Sequence, residues 1–469
     1  MKFKPLICIF LCVLLLVAPI YTQVRAEQSE EAQVSVSNGS HTLDATQCLL
    51  GNSKLVSNTE TAILYETKTQ TLLYAYNADV RMYPSSFVKL MTLLIALEEG
   101  DLAQEITVKQ DVLNSVSADA MSVNLSAGEV LTLEDLLYCM IVGSGNDAAA
   151  VIGDAIAGSQ EAFVEKMNAY AQEFGCTNTN FMNVHGLHHE QQYITARDAA
   201  RIMEQGLKND TFRKIIGTDT YLVCANEIAG ERNLVTNNYL ISTHVMDIYK
   251  DNRVKGGRTG VDNYGRRCVA AVANSGNMEL ISIVMGTKST YEADGYTVRV
   301  YGGFPETTDL LTQGFQGVRG VEIFHKDQVM RQYGIMGGNC DLFSGALEGA
   351  STVLPYSVGL EDLTFVYKDS FNGAYPAIPV NRGDFISTVQ VWYRDICVGS
   401  SVLYAMNTVD GKQPEFVPSM QSDTAMPWWG WVLIVFGSLV VLAGIYILVM
   451  RYVPFIRKLL YEKQRRNRW

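Results

Sequence analysis

"MYPSSFVKLMTLLIALEEG", residues 82–100, is the stretch on which the reading of this chain turns. From Phe87 to Leu97 it is a mostly apolar, helix-like run, closed by two glutamates and Gly100. At its head stand Ser85, Ser86 and Lys89. A helix start needs one serine as an N-cap. It does not need a lysine one turn later, on the same face as Ser86. A serine hydroxyl becomes a useful nucleophile only when a nearby base takes its proton. A lysine whose pKa is lowered by burial or by a neighbouring cation can be that base. Ser86 and Lys89 are therefore a candidate nucleophile–base pair, with Ser85 as a cap or packing neighbour. Four residues are a short motif, so the support must come from elsewhere in the chain.

Two further motifs follow in order. Ser144-Gly145-Asn146 lies in a turn between two helical patterns, where the serine could relay a proton and the amide could grip a peptide backbone. The chain carries its own control, because Ser275-Gly276-Asn277 is the same tripeptide between two strand patterns. It reads as a hairpin turn and has no assigned role. Arg258-Thr259-Gly260 precedes the strand pattern "RRCVAAVA". A cation, a hydroxyl and a glycine at a sheet edge suit a substrate carboxylate, the glycine allowing close backbone approach. Lys255 stands three residues too early and lacks the following hydroxyl.

Together the three motifs resemble the S-x-x-K, S-x-N and K-T-G set of penicillin-recognising serine enzymes. The surrounding text, "YPSSFVKLMT", "IVGSGNDAA", "NVHGLHHEQQYITARDAARI" and "VKGGRTGVDNYGRRCVAAV", is similar to the D-alanyl-D-alanine carboxypeptidases among low-molecular-mass penicillin-binding proteins. "YPAIPVNRGDFISTVQVWYRDICVGSSVLYA" is similar to their β-rich C-terminal domain. The resemblance spans roughly residues 60–410. It implies that Ser86 is acylated with Lys89 as its base, and that Ser144 and Asn146 assist proton transfer and hold substrate. It further implies that Arg258, Thr259 and Gly260 bind the substrate's terminal carboxylate, and that the backbone N–H groups of Ser86 and Val261 form an oxyanion hole. The implied reaction removes the terminal D-alanine of peptidoglycan stem peptides, with β-lactams as covalent inhibitors and no cofactor. One departure stands out: the family's third motif opens with lysine, and here it opens with Arg258. Arginine keeps the charge and binds carboxylate bidentately, but it is bulkier and does not lose its proton.

Two other readings compete. A catalytically silent homologue would bind peptidoglycan or a wall-assembly partner, with Arg258 as its mark. A serine β-lactamase would need a carboxylate to activate the deacylating water; Glu190 is the acidic residue in the expected loop, in a context that does not resemble the relevant motif. His185, His188 and His189 raise a metal site, but no second ligand cluster accompanies them, so none is expected.

The organisation read from pattern is a mixed α/β body from 55 to 315. The resemblance implies a serine β-lactamase/transpeptidase-like catalytic fold for this body, and the pattern beyond it reads as a small all-β domain over 318–415. "TAILYETKTQTLLYAYNADV" reads as a strand hairpin. "LTLEDLLYCMIV", "NDAAAVIGDAIAG", "SQEAFVEKMNAYAQEFG" and "ITARDAARIMEQGL" read as helices, the first with Thr132 and Asp135 spaced as a capping box and the third closed by Gly175. "CVAAVANSGNMELISIVMG" reads as two strands of a sheet core. Beyond Gly317, "GVEIFH", "DLTFVYK", "FISTVQVWY" and "SSVLYAMNTV" are short strands without an intervening helix.

The ends carry targeting signals. Residues 1–26 have a basic start, an apolar run and the small-residue site Val24-Arg25-Ala26, as a secretory signal does. Residues 27–54 are a polar lead-in and 416–427 a linker. Residues 428–450 hold no charge; at helical rise they span about 34 Å, enough for a hydrocarbon core. Trp428, Trp429 and Trp431 flank this segment on one side, and the basic tail 451–469 on the other. The expected topology is a single-pass membrane protein with its catalytic part outside and its tail in the cytoplasm. Of the formal charge of −12, the tail contributes +6, the first 26 residues +3, and the part between −21. So acidic a body argues against a nucleic-acid partner. Seven cysteines remain after the signal, with no CxxC pair; they read as buried thiols such as Cys139 and Cys268, with Cys340–Cys397 the one bridge considered.

Overall fold

A computed structural model describes residues 43, 45, 47–51, 53–371 and 376–411. The signal, most of the lead-in, the linker, the apolar segment 428–450 and the basic tail lie outside the described residues. Most of what is described packs as one unit. A second, small unit joins Gly334–Asp341 to residues 376–380 and 409–411, with Val380 bridging to Val409 and Gly338 to Gly411.

The α/β body is built on five antiparallel strands, β1 (Thr61–Glu66), β2 (Thr71–Tyr76), β3 (Val254–Val261), β4 (Arg266–Ser275) and β5 (Met278–Lys288), in the order β2–β1–β5–β4–β3. Ser275 pairs with Met278, so Ser275-Gly276-Asn277 is the hairpin turn between β4 and β5. Both sheet faces are covered, and the period-2 alternation of each strand divides its side chains between them. Ile63, Tyr65, Ala270 and Val272 enter one core, beneath the helices; Ala62, Leu64, Val269 and Ala271 enter the other.

On the first face lie α1 (Val88–Glu99), α2 (Leu133–Ile141), α3 (Asn146–Ala157), α4 (Gln160–Glu173), α5 (Ala196–Gly206) and α6 (Asp210–Ile216). The second face is covered by α7 (Phe304–Gly317), with Phe304, Leu310 and Leu311 fully buried. Side-chain caps fix several of these starts. Thr132, Ser159, Thr195 and Asn209 accept from backbone N–H groups at the heads of α2, α4, α5 and α6. Each such cap is worth about 1 kcal/mol. Thr132 also donates to Asp135 Oδ2, which completes the side-chain pair read from the sequence.

From Val318 the chain is strand after strand: β6 (Val318–Phe324), β7 (Val329–Tyr333), β8 (Leu342–Ala346), β9 (Ala350–Pro355), β10 (Thr364–Asp369), β11 (Phe385–Tyr393) and β12 (Ile396–Ala405). β6 pairs with β9, and the other five form a sheet in the order β7–β8–β12–β11–β10, all antiparallel. Phe324, Leu354, Val389, Val391 and Leu403 make their shared core. β7, β8 and β9 carry too little unbroken alternation to stand out in the sequence; β7, "VMRQY", has no fully buried residue. Cys340 and Cys397 do not form the bridge considered above. Both are thiols, donating to Asn339 Oδ1 and to Gly399 O.

Candidate active site

The opening stretch does not start as one α-helix. Ser85–Phe87 form a 3-10 turn and the α-helix proper begins at Val88. No side chain caps either segment. Ser85, read as a cap or packing residue, instead sends its hydroxyl to Val261 O at 2.8 Å, tying the turn to the last residue of β3. Gly260 makes that approach possible. A Cβ there would lie 2.7 Å from Ser85 Oγ and 2.8 Å from Ser86 N. The first and third motifs are thus in backbone contact, although 174 positions separate Ser86 from Gly260 in the sequence.

Lys89, one turn after Ser86, is buried beneath this junction. Its Nζ donates to Ser144 O at 3.0 Å and to Asn146 Oδ1 at 2.6 Å, which brings the second motif to the first. Burial, then the Arg258 cation, hold its pKa well below the usual lysine value; Asp147 opposes them. A neutral amine has two N–H donors and one lone pair. Both donors are committed to oxygens of the second motif, so the lone pair is left for the Ser86 side. Among the described residues no hydrogen bond yet joins Lys89 Nζ to Ser86 Oγ, as is common before substrate arrives.

Ser144 and Ser85 both adopt positive φ, +59° and +47°. Each such conformation costs about 1–3 kcal/mol outside glycine and is held only by surrounding contacts. At Ser144 those contacts are Lys89 and Arg258, whose Nη2 donates to Ser144 Oγ.

Arg258 lies on the other side of its strand from the cleft. The resemblance assigns it to the substrate carboxylate, but strand alternation turns it to the helix side of β3. There its Nη1 donates to Ile141 O at 2.6 Å, and it is 2% exposed. It does not line the cleft. Burial lowers its pKa to about 10, so it stays charged at neutral pH. Its work is electrostatic: it fixes Ser144 and discourages protonation of Lys89. Lys255, by contrast, is exposed and donates to Asn252 O.

The cleft above these residues has a volume of about 370 Å³. Ser86, Ser144 and Asn146 form its floor, and Thr259, Gly260 and Val261 one wall. Thr259 Oγ1 lies 3.2 Å from Asn237 Oδ1, a partner that the sequence did not single out. The loop residues Asp119, Ala120 and Met121 line it as well. Asp147, another residue outside the motifs, anchors that loop: its carboxylate accepts from Ser122 Oγ, Val123 N and Leu125 N. His185 is buried at the cleft, its Nδ1 accepting from Leu187 N, with its pKa lowered to about 4 by burial and by Lys89. His188 belongs to the rim, where Tyr83 packs edge-on against it at 4.6 Å and stacks with Tyr264 at 5.9 Å.

A sequence model of the D-alanyl-D-alanine carboxypeptidase family matches residues 51–289, just over half of the chain. The chain belongs to that family. It is 32% identical over 253 residues to D-alanyl-D-alanine carboxypeptidase DacF of Bacillus subtilis, covering 53% of this chain and 62% of that relative. It is 29% identical over 359 residues to DacC of Escherichia coli, covering 74% and 83%. Among solved structures, penicillin binding protein 5 from Haemophilus influenzae superposes with a TM-score of 0.60 at 26% identity, over 75% of this chain and 98% of that one. All three motifs lie within the matched residues.

Proposed function

We propose that this chain is a serine-type D-Ala-D-Ala carboxypeptidase acting on peptidoglycan stem peptides, and that β-lactams acylate it at the same serine. The observation that carries the reading is Lys89: buried, one turn from Ser86, beside a permanent cation, with both amine donors taken up by the second motif. In the first step Ser86 Oγ attacks the carbonyl carbon of the penultimate D-alanine, and its proton passes to Lys89 Nζ. The backbone N–H groups of Ser86 and Val261 receive the oxyanion. Collapse breaks the peptide bond, and the leaving D-alanine amine takes a proton relayed through Ser144 Oγ. Asn146 orients the substrate backbone as well as Lys89. Water then hydrolyses the ester, and Ser86 recovers its proton.

Arg258 supports an active enzyme rather than a silent homologue, because its charge acts on Ser144 and Lys89 and needs no proton exchange. For a β-lactamase the cleft lacks a suitable carboxylate among the described residues. Of its acidic lining residues, Asp262 is paired with Arg266 at 2.8 Å and Asp119 sits on the loop opposite, bonded to Ser117.

In this reading the protein is exported and anchored by residues 428–450, with the catalytic part outside and the basic tail in the cytoplasm. Carbonate extraction of membranes, with protease added to intact cells, tests the anchor. Release of the protein by carbonate refutes it, and survival of the catalytic part places that part inside. Activity is tested by D-alanine release from a peptide ending in D-Ala-D-Ala, together with the intact mass after penicillin. Ser86→Ala should abolish both, a fall of at least about 10⁴-fold in turnover. A penicillin adduct that survives Ser86→Ala sinks the assignment.

A further inference from the structure

Arg258 on β3 is buried and Arg267 on β4 is half-buried, and only Arg267 lines the cleft. Val261 pairs with Arg267 and Thr259 with Val269 across the two strands, so these four side chains share one sheet face. Arg258 points to the opposite face. We propose that Arg267, rather than Arg258, is the cation that receives the terminal carboxylate of the substrate, beside the Thr259 hydroxyl. This deepens the carboxypeptidase reading and rests on it.

Four observations carry the assignment. First, Arg267 lines the cleft with Thr259, Val261 and Asn237. Second, its side chain makes no hydrogen bond or ion pair among the described residues, and its Nε is buried without a partner. Its Nη atoms also meet no acceptor among the described residues and, unlike Nε, are not sealed off, so they are the donors a ligand would meet. Arg258 Nε is also unpartnered, but on the helix side. Third, aromatic rings and not carboxylates hold Arg267, with its guanidinium carbon 5.4 Å from the Tyr301 ring centre and 5.2 Å from that of Phe304. Such rings fix a cation without neutralising it. Of the carboxylates lining the cleft, Asp262 is already taken by Arg266. Fourth, Gly303 leaves the room: a Cβ there would lie 3.1 Å from Arg267 Cδ and 2.7 Å from Val269 Cγ2, and its φ of +97° suits glycine. The side chain is thus held, charged and uncompensated in the lining of the cleft, on the same sheet face as Thr259. A planar guanidinium suits that group bidentately.

The test separates recognition from turnover. Full-length Ser86→Ala protein is titrated with an N-acylated peptide ending in D-Ala-D-Ala, as the free acid and as its C-terminal amide. The acid should bind about 10- to 100-fold more tightly. Adding Arg267→Met, which keeps the aliphatic stem between the rings, should erase that preference. Arg267→Lys should keep part of it, and Arg258→Lys should leave it in place. Thermal melting of each variant shows that the fold is intact, and Arg267→Gln serves if the methionine variant does not fold. A preference that survives loss of Arg267, or no preference in Ser86→Ala, overturns the proposal. Wild type that prefers the acid yet releases no D-alanine overturns the carboxypeptidase reading alone.

Discussion

Arg258 and Arg267, buried and half-buried on β3 and β4, make an instructive pair. Both lose most of their hydration, yet Arg258 is surrounded by oxygen acceptors and Arg267 by aromatic rings. The first arrangement binds the cation into the protein's own polar network, where it tunes its neighbours. The second leaves the charge unneutralised and facing the cleft. One residue type therefore serves two purposes, and the side of the sheet decides which. A strand alternates faces at every residue, so the two roles cannot be exchanged by small movements.

That contrast can be broken in order of expected effect. Lys89→Met removes the base while keeping most of the buried volume. Penicillin acylation should slow by about 10²–10⁴-fold, read by intact mass over time; a rate within tenfold of wild type would show that another group takes the Ser86 proton. Arg258→Met tests the tuning role. The Arg258 cation is one of the causes that depress the Lys89 pKa, so its loss raises that pKa. Lys89 is then protonated over a wider range, and the rise of acylation rate with pH moves to higher pH. At pH 7 the rate should fall on the order of tenfold and recover on the alkaline side; an unmoved profile would leave Arg258 only a structural role. Tyr301→Leu tests the weaker face. It removes one ring from Arg267, costing about 0.5–2 kcal/mol in thermal or urea unfolding, with D-alanine release within a few-fold of wild type. A larger loss of activity than of stability would mean that the ring itself touches substrate.

Much of the catalytic body was legible in the sequence because its signals are local. The hairpin at Thr61–Tyr76, the capped helix at Leu133–Ile141 and the turn at Ser275-Gly276-Asn277 each follow from pattern within one short local stretch. α6 and α7 were harder. α6 is a seven-residue helix, and α7 opens with Gly-Phe-Pro, which reads as a turn until Glu306 is seen bonding back to Gly303 N. At the site, the motif residues were visible but their supports were not. Asp147 and Asn237 act through contacts with segments far away in sequence, as does the bond of Ser85 to Val261 O. No local pattern encodes such contacts.

The chemistry available to this protein was determined by residue type and spacing alone. A serine and a lysine one helical turn apart share a face whatever surrounds them, and the three motifs in order mark the family. Tertiary structure alone decided how each charge is used. Burial favours the neutral amine of Lys89, since a cation without hydration is disfavoured. Sheet sidedness sends Arg258 inward to Ser144 and leaves Arg267, an unremarkable residue in the linear chain, facing the cleft with its charge uncompensated. Both outcomes depend on the dielectric and the partners around a group, and those exist only once distant segments have packed.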